Sequence, residues 1–103
     1  MAKVIEKDGV LTLRLSRLEK IGALHGDISV ASSQLISKSD VPNPWTKELL
    51  RGTRSPGTAI PYRILLGTMR FKGGKDFCAI YKRTPAFINE FADAPFKRWV
   101  VSI

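Results

Sequence analysis

Short runs that alternate apolar and polar residues, each cut off by a turn signal, dominate this chain and restrict what it can fold into. A period of two places every second side chain on one face, the pattern of a half-buried strand. The segment Val10–Leu15 reads V-L-T-L-R-L, with Leu11, Leu13 and Leu15 together. Lys7-Asp8-Gly9 separates it from the alternating N-terminal run, and Asp-Gly tolerates the positive φ angles of a hairpin turn. Phe77, Ala79 and Tyr81 alternate along 76–82, and Lys72-Gly73-Gly74-Lys75 links that run to the apolar stretch of 62–70. Further short strands are expected at 28–31, 35–38 and 86–91. The segment Arg98–Ile103 alternates to its last residue and therefore needs paired neighbours. About eight strands separated by tight turns point to an antiparallel barrel or sandwich rather than to βαβ units.

Two places change period. Ser16 and Glu19 form an S-x-x-E capping box, Leu18, Ile21 and Leu24 follow at helical spacing, and Gly26 can close the end. This predicts a helix of about two turns with those three residues as its apolar stripe. Asn43-Pro44 sets an N-cap and a first helical position, and Trp45, Leu49 and Leu50 give a second short stripe ending at Gly52. Residues 52–61, with two Gly and two Pro, read as a loop.

The chain of 103 residues has room for one core and is read as a single domain over residues 1–103. Its one cysteine, Cys78, rules out an intrachain disulfide and suits a reducing compartment. The N-terminus lacks a signal-peptide core, and the longest apolar stretches are too short to span a bilayer, so a cytoplasmic location is the default expectation.

Net charge is +8 and unevenly spread. Residues 1–43 carry six basic and five acidic side chains, whereas residues 44–103 carry eleven and four. Within 51–83 stand Arg51, Arg54, Arg63, Arg70, Lys72, Lys75, Lys82 and Arg83 against Asp76 alone. Such an excess attracts nucleic acid, anionic lipid or an acidic protein, and also keeps a surface solvated. Phe71, Phe77 and Tyr81 are interleaved with these cations, as in single-strand binders, but Phe77 and Tyr81 share a strand face with Ala79, which reads as core.

Catalytic patterns are sparse. His25 is the sole histidine, and one Cys with one His cannot supply the four ligands of a structural zinc site. Gly52-Thr53-Arg54-Ser55-Pro56-Gly57-Thr58 lacks P-loop spacing, and no G-x-S-x-G is present. An enzyme built here would have to bring His25, Cys78 or Asp27 into one cleft. No cofactor is implied.

The stretches Leu15-Ser16…Glu19…Leu24-His25-Gly26-Asp27-Ile28, Pro44-Trp45, Arg51 to Thr58, Lys75-Asp76-Phe77 and Val100-Val101-Ser102-Ile103 resemble a group of small uncharacterised bacterial proteins. Those proteins look like bacterial pleckstrin-homology-like (PH-like) domains. The resemblance implies a mainly β, bent antiparallel barrel or sandwich of about 7–8 strands with two short helices and a binding or scaffolding role. Two departures stand out. The C-terminal capping helix usual in that fold is missing here, so an internal helix or a partner would cap the barrel. Thr12 also replaces a basic residue of the lipid-binding pattern to which Lys7 and Arg14 conform.

The expectation is therefore a non-catalytic binding domain. Its partner is a protein, a second copy of itself or an anionic ligand, met by Arg51, Arg54, Arg63, Arg70, Lys72 and Lys75. The alternative is a nucleic-acid-binding β domain using the basic 51–83 region.

Overall fold

The computed structural model describes residues 2–46 and 49–103, with the backbone alone for 54–56. The chain forms β1 (Lys3–Lys7), β2 (Val10–Arg14), α1 (Arg17–Ala23), β3 (Ile28–Ala31), β4 (Leu35–Val41), β5 (Thr53–Ile60), β6 (Ile64–Phe71), β7 (Gly74–Tyr81), β8 (Ala86–Phe91) and β9 (Arg98–Ser102). A 3-10 turn, Ser32–Gln34, joins β3 to β4. The mainly β expectation holds. Among the described residues no helix is long and apolar enough to cross a membrane.

The strands make two sheets. One has three strands in the order β1-β2-β3, and the other has six in the order β4-β8-β9-β7-β6-β5. The Asp8-Gly9 turn forms as expected, with φ of 52° and 78°. Leu11, Leu13, Ile28 and Val30 from the small sheet pack with Leu66, Phe77, Ala79, Trp99 and Val101 from the large one, which places the main core between the sheets. The opposite face of the large sheet carries a second cluster, Leu65, Met69, Cys78, Ile80, Ala86 and Val100, covered by Leu49 with Trp45 and Leu50.

Four expectations need correction. First, nine strands form among the described residues rather than seven or eight, because 53–60 is a strand and not a loop. It can be one because it lies on an edge, where proline is tolerated, and because a bulge between Arg54 and Gly57 absorbs the irregularity. Gly57 lies opposite Gly67 with φ +147°, and a β-carbon there would stand 2.2 Å from the Leu66 carbonyl oxygen. Only glycine lets the two strands approach so closely.

Second, the sheet is not wholly antiparallel. The chain leaves β7, forms β8 one position beyond, and returns to insert β9 between them, so β9 runs antiparallel to β8 and parallel to β7.

Third, among the described residues only one α-helix forms. The expected second helix partly falls on Lys47 and Glu48, which lie outside the described residues. At the flanking positions the side chains of Asn43 and Thr46 accept from the amides of Trp45 and Leu49, and Leu50 N–H donates to the Thr46 carbonyl. The Asn43 bond is an Asx-type turn, whereas the two bonds to Thr46 are those of a capped single turn. The segment instead lays Trp45, Leu49 and Leu50 over the outer cluster.

Fourth, α1 is rotated relative to its apolar pattern. Its capping box is present, with Glu19 N–H donating to Ser16 Oγ and Ser16 N–H donating to Glu19 Oε1. Its end is set by Leu24, in the left-handed region at φ 53°, ahead of Gly26. Yet the buried residues are Glu19 and Ala23, while Leu18, Ile21 and Leu24 are 80%, 70% and 67% exposed.

Candidate functional site: an apolar helix face among cations

Polar anchors explain the rotation of α1. Glu19 Oε2 accepts from Ala2 N–H at 2.8 Å and from the Tyr81 hydroxyl at 2.5 Å, while Oε1 takes the Ser16 amide. One turn later the Gly22 carbonyl accepts from Thr58 Oγ1 at 2.7 Å. These bonds fix the 19/22/23 side of the helix against β5 and β7. A buried carboxylate without its donors would cost several kcal/mol, more than burying one more aliphatic side chain would gain. Burial pulls the Glu19 carboxyl upward, but the Ser16 amide, the Tyr81 hydroxyl, the positive charge of the N-terminus and the Ala2 amide outweigh it and hold the group below its ordinary value. Burial and the adjacent Glu19 push the Tyr81 phenol up.

Beside the outward stripe runs a groove of about 390 Å³, lined by Leu18, Gly22, Thr58, Ile64, Leu66 and Tyr81. Ile60 pairs with Ile64 across β5 and β6 and is 51% exposed, extending the apolar surface. Cations surround it. Arg17 and Lys20 lie on the helix, and Lys3 and Arg14 face each other across β1 and β2 just before it. Arg63 and Lys82 flank the Tyr81 end, joined by a backbone bond from Lys82 N–H to the Arg63 carbonyl. Asp27 is the exposed carboxylate at this end, and it accepts from Leu15 N–H 3.8 Å from Lys20 Nζ.

Of the six basic residues singled out from the sequence, the five whose side chains are described do not form one patch. Arg70 and Lys75 are paired across β6 and β7, and Lys72 is exposed in the turn between them, so these three gather at one end. Lys75 Nζ sits 4.7 Å above the Phe96 ring. Arg63 lies at the other end of β6, about 23 Å away at the usual rise per residue. Arg51 is a tether rather than a free cation. Its Nε and Nη2 donate to the buried Asp76 carboxylate at 2.9 and 3.2 Å, and its guanidinium stacks on Phe71 at 4.1 Å. Arg98 donates to the same carboxylate at 2.7 Å and to the Leu49 carbonyl at 2.6 Å. The Arg54 side chain lies outside the described residues.

The aromatic residues among the cations are occupied. Phe77 is fully buried, Tyr81 is bonded to Glu19, and Phe71 is covered by Arg51. A second apolar hollow, of about 290 Å³, lies over the outer cluster between Trp45, Leu50, Ala59, Pro61 and Tyr62, with Arg83 stacked on Tyr62 at 4.2 Å.

His25, Cys78 and Asp27 do not converge. His25 packs edge-on to Phe77 and Phe96 on the inter-sheet side, each 5.6 Å away. Cys78 belongs to the cluster on the opposite face of the large sheet, and burial pushes its thiol up to about 12. Asp27 is engaged with Leu15 and Lys20. Among the described residues no group of three or more His, Cys, Asp or Glu side chains could hold a metal ion.

The α1 face was missed in the sequence because helical spacing alone does not say which side of a helix is buried. Ser16 and Glu19 carried the signal: an N3 carboxylate in a capping box already has a backbone partner, and a further buried donor can hold it inward. No family model, no curated protein and no solved structure matches this chain.

Proposed function

We propose that this chain is a non-catalytic binding or scaffolding domain of PH-like architecture, working in the bacterial cytoplasm, that holds a protein partner on the outward face of α1. One observation carries the reading: Leu18, Ile21 and Leu24 project into solvent from a helix pinned by its polar side. A cluster of exposed large apolar side chains, rimmed by polar groups, is the mark of an interaction surface. The surrounding Arg14, Arg17, Lys20 and Arg63 favour an acidic rim on the partner. The adjoining groove favours a protein, whose side chains can fill a concavity, over a flat bilayer.

A photo-crosslinking residue at position 18, 21 or 24, introduced in cells that make the protein, should give a discrete protein adduct, and one at position 72 or 75 should not. With that adduct identified and purified, Ile21→Ser should weaken its binding by about tenfold or more. Lipid adducts alone would reassign the face to a membrane. Adducts confined to 72 and 75, together with salt-sensitive retention of an oligonucleotide, would replace the reading with nucleic-acid binding by the basic 51–83 region. No adduct at any of the three helix positions overturns it.

A further inference from the structure

β4 ends the six-stranded sheet, with β8 on one side and no strand on the other. Residues 36–40 are all exposed, and among the described residues no strand pairs with the outer row of their backbone amides and carbonyls. Open edges invite pairing with another strand, and proteins blunt them with charge, bulges and proline. All three devices are present here, and together they define a register.

The register with β8 shifts between Leu35 and Ser37, so regular strand begins at Ser37. Pro42 follows Val41 and offers no amide. The segment clear of both irregularities is Ser37–Val41, with Ser39 at its centre. Side chains directly opposite in an antiparallel pair point to the same face, so two identical antiparallel strands related by a two-fold axis must have that axis pass at a residue. An axis at Ser39 uses the whole segment and sets Lys38 opposite Asp40 of the second copy, twice. An axis at Lys38 or Asp40 sets that charge against itself. An axis at Ser37 or Val41 runs the pairing into the bulge or the proline.

We infer that β4 is a self-association edge, through which two copies pair antiparallel about Ser39 with reciprocal Lys38–Asp40 contacts, joining their large sheets into one. Charge supports a second copy as the occupant. Lys38, Asp40 and Glu90 stand along this edge, the last accepting from Ser37 Oγ at 3.2 Å, and Arg51, Asp93 and Lys97 line the hollow beside Ile36, so charges of both signs are balanced here and the edge does not share the positive excess of the rest of the molecule. The interface is isologous, so it closes at two copies. It is also independent of the α1 face, which stays open to another partner.

Sedimentation equilibrium over rising concentration should show the average mass climbing from 11.5 kDa toward twice that value. Lys38→Asp and Asp40→Lys should each weaken dimerisation by about tenfold or more, since each turns two attractive cross-strand pairs into two repulsive ones. The double variant K38D/D40K should recover it. Mixing the two single variants should also recover it, because one then offers two aspartates to the other's two lysines. Both positions are exposed, and circular dichroism will show that the variants fold. Ile21→Ser should leave the dimer intact. A wild-type protein that stays at 11.5 kDa, single variants that dimerise as wild type does, a mixture that stays monomeric, or a dimer lost with Ile21→Ser would each overturn the inference.

Discussion

Glu19 and Asp76 are both almost inaccessible to solvent, and each fastens a peripheral segment to the large sheet, but they are held by different chemistry. Glu19 is surrounded by neutral donors: two backbone amides and a phenol. Asp76 is clamped by two guanidiniums, one of which also holds the Leu49 carbonyl. A carboxylate held by dipoles fixes direction, because each donor must point at it. That geometry sets the rotation of α1 and leaves its aliphatic stripe outside. A carboxylate held by cations fixes position and charge balance. It anchors residues 49–51 by tying Arg51 and Arg98 to one carboxylate.

The comparison can be broken most forcefully at Asp76. Asp76→Ala leaves Arg98 buried without its counter-ion, and urea unfolding should show a loss of about 3–5 kcal/mol. Amide exchange should rise at Leu49–Arg51 while α1 stays protected. A loss below about 1 kcal/mol would mean that water already compensates the two arginines.

Glu19→Gln should cost less, about 1–3 kcal/mol, because neutral donors are left partly satisfied by the amide. Here pH sharpens the contrast. The folded carboxyl titrates below its ordinary value of 4.5, so its stabilisation is complete above that value and is lost as pH falls through the lower folded one. An acid titration should therefore show a stability decline in the wild type that flattens in Glu19→Gln. Equal slopes would sever the link between these hydrogen bonds and the fold.

The smallest effect belongs to the stripe. Ile21→Ser should change stability by no more than about 0.5 kcal/mol, as at other exposed positions. A loss of 2 kcal/mol or more, typical of core truncation, would show that the stripe is buried in solution.

Much of the framework was legible because turn chemistry is local. Asp8-Gly9, the Ser16–Glu19 box and the turn at 72–75 announced their conformations from their own residues. What escaped the sequence depends on distant neighbours. Edge position rescued a Gly- and Pro-bearing segment as β5. Insertion of β9 between β7 and β8 made one pair parallel. Donors from Ala2 and Tyr81, far from α1 in sequence, decided which way its stripe faces. The candidate site followed the same rule. The cations could be counted from the sequence, but the partners that split them between two ends of β6, or consumed Arg51 at Asp76, could not.

The placement of β9 also bears on how the protein is made. It is the last of the nine strands to be synthesised, yet all five of its residues are buried between β7 and β8. Until it emerges from the ribosome, β4–β8 and β5–β6–β7 are two separate ribbons, each with an unsatisfied edge. The large sheet is thus completed by late insertion of its own interior strand. During translation those two ribbons are the stretch most exposed to wrong pairing, and nascent-chain protease resistance should appear only after Ser102 has cleared the exit tunnel.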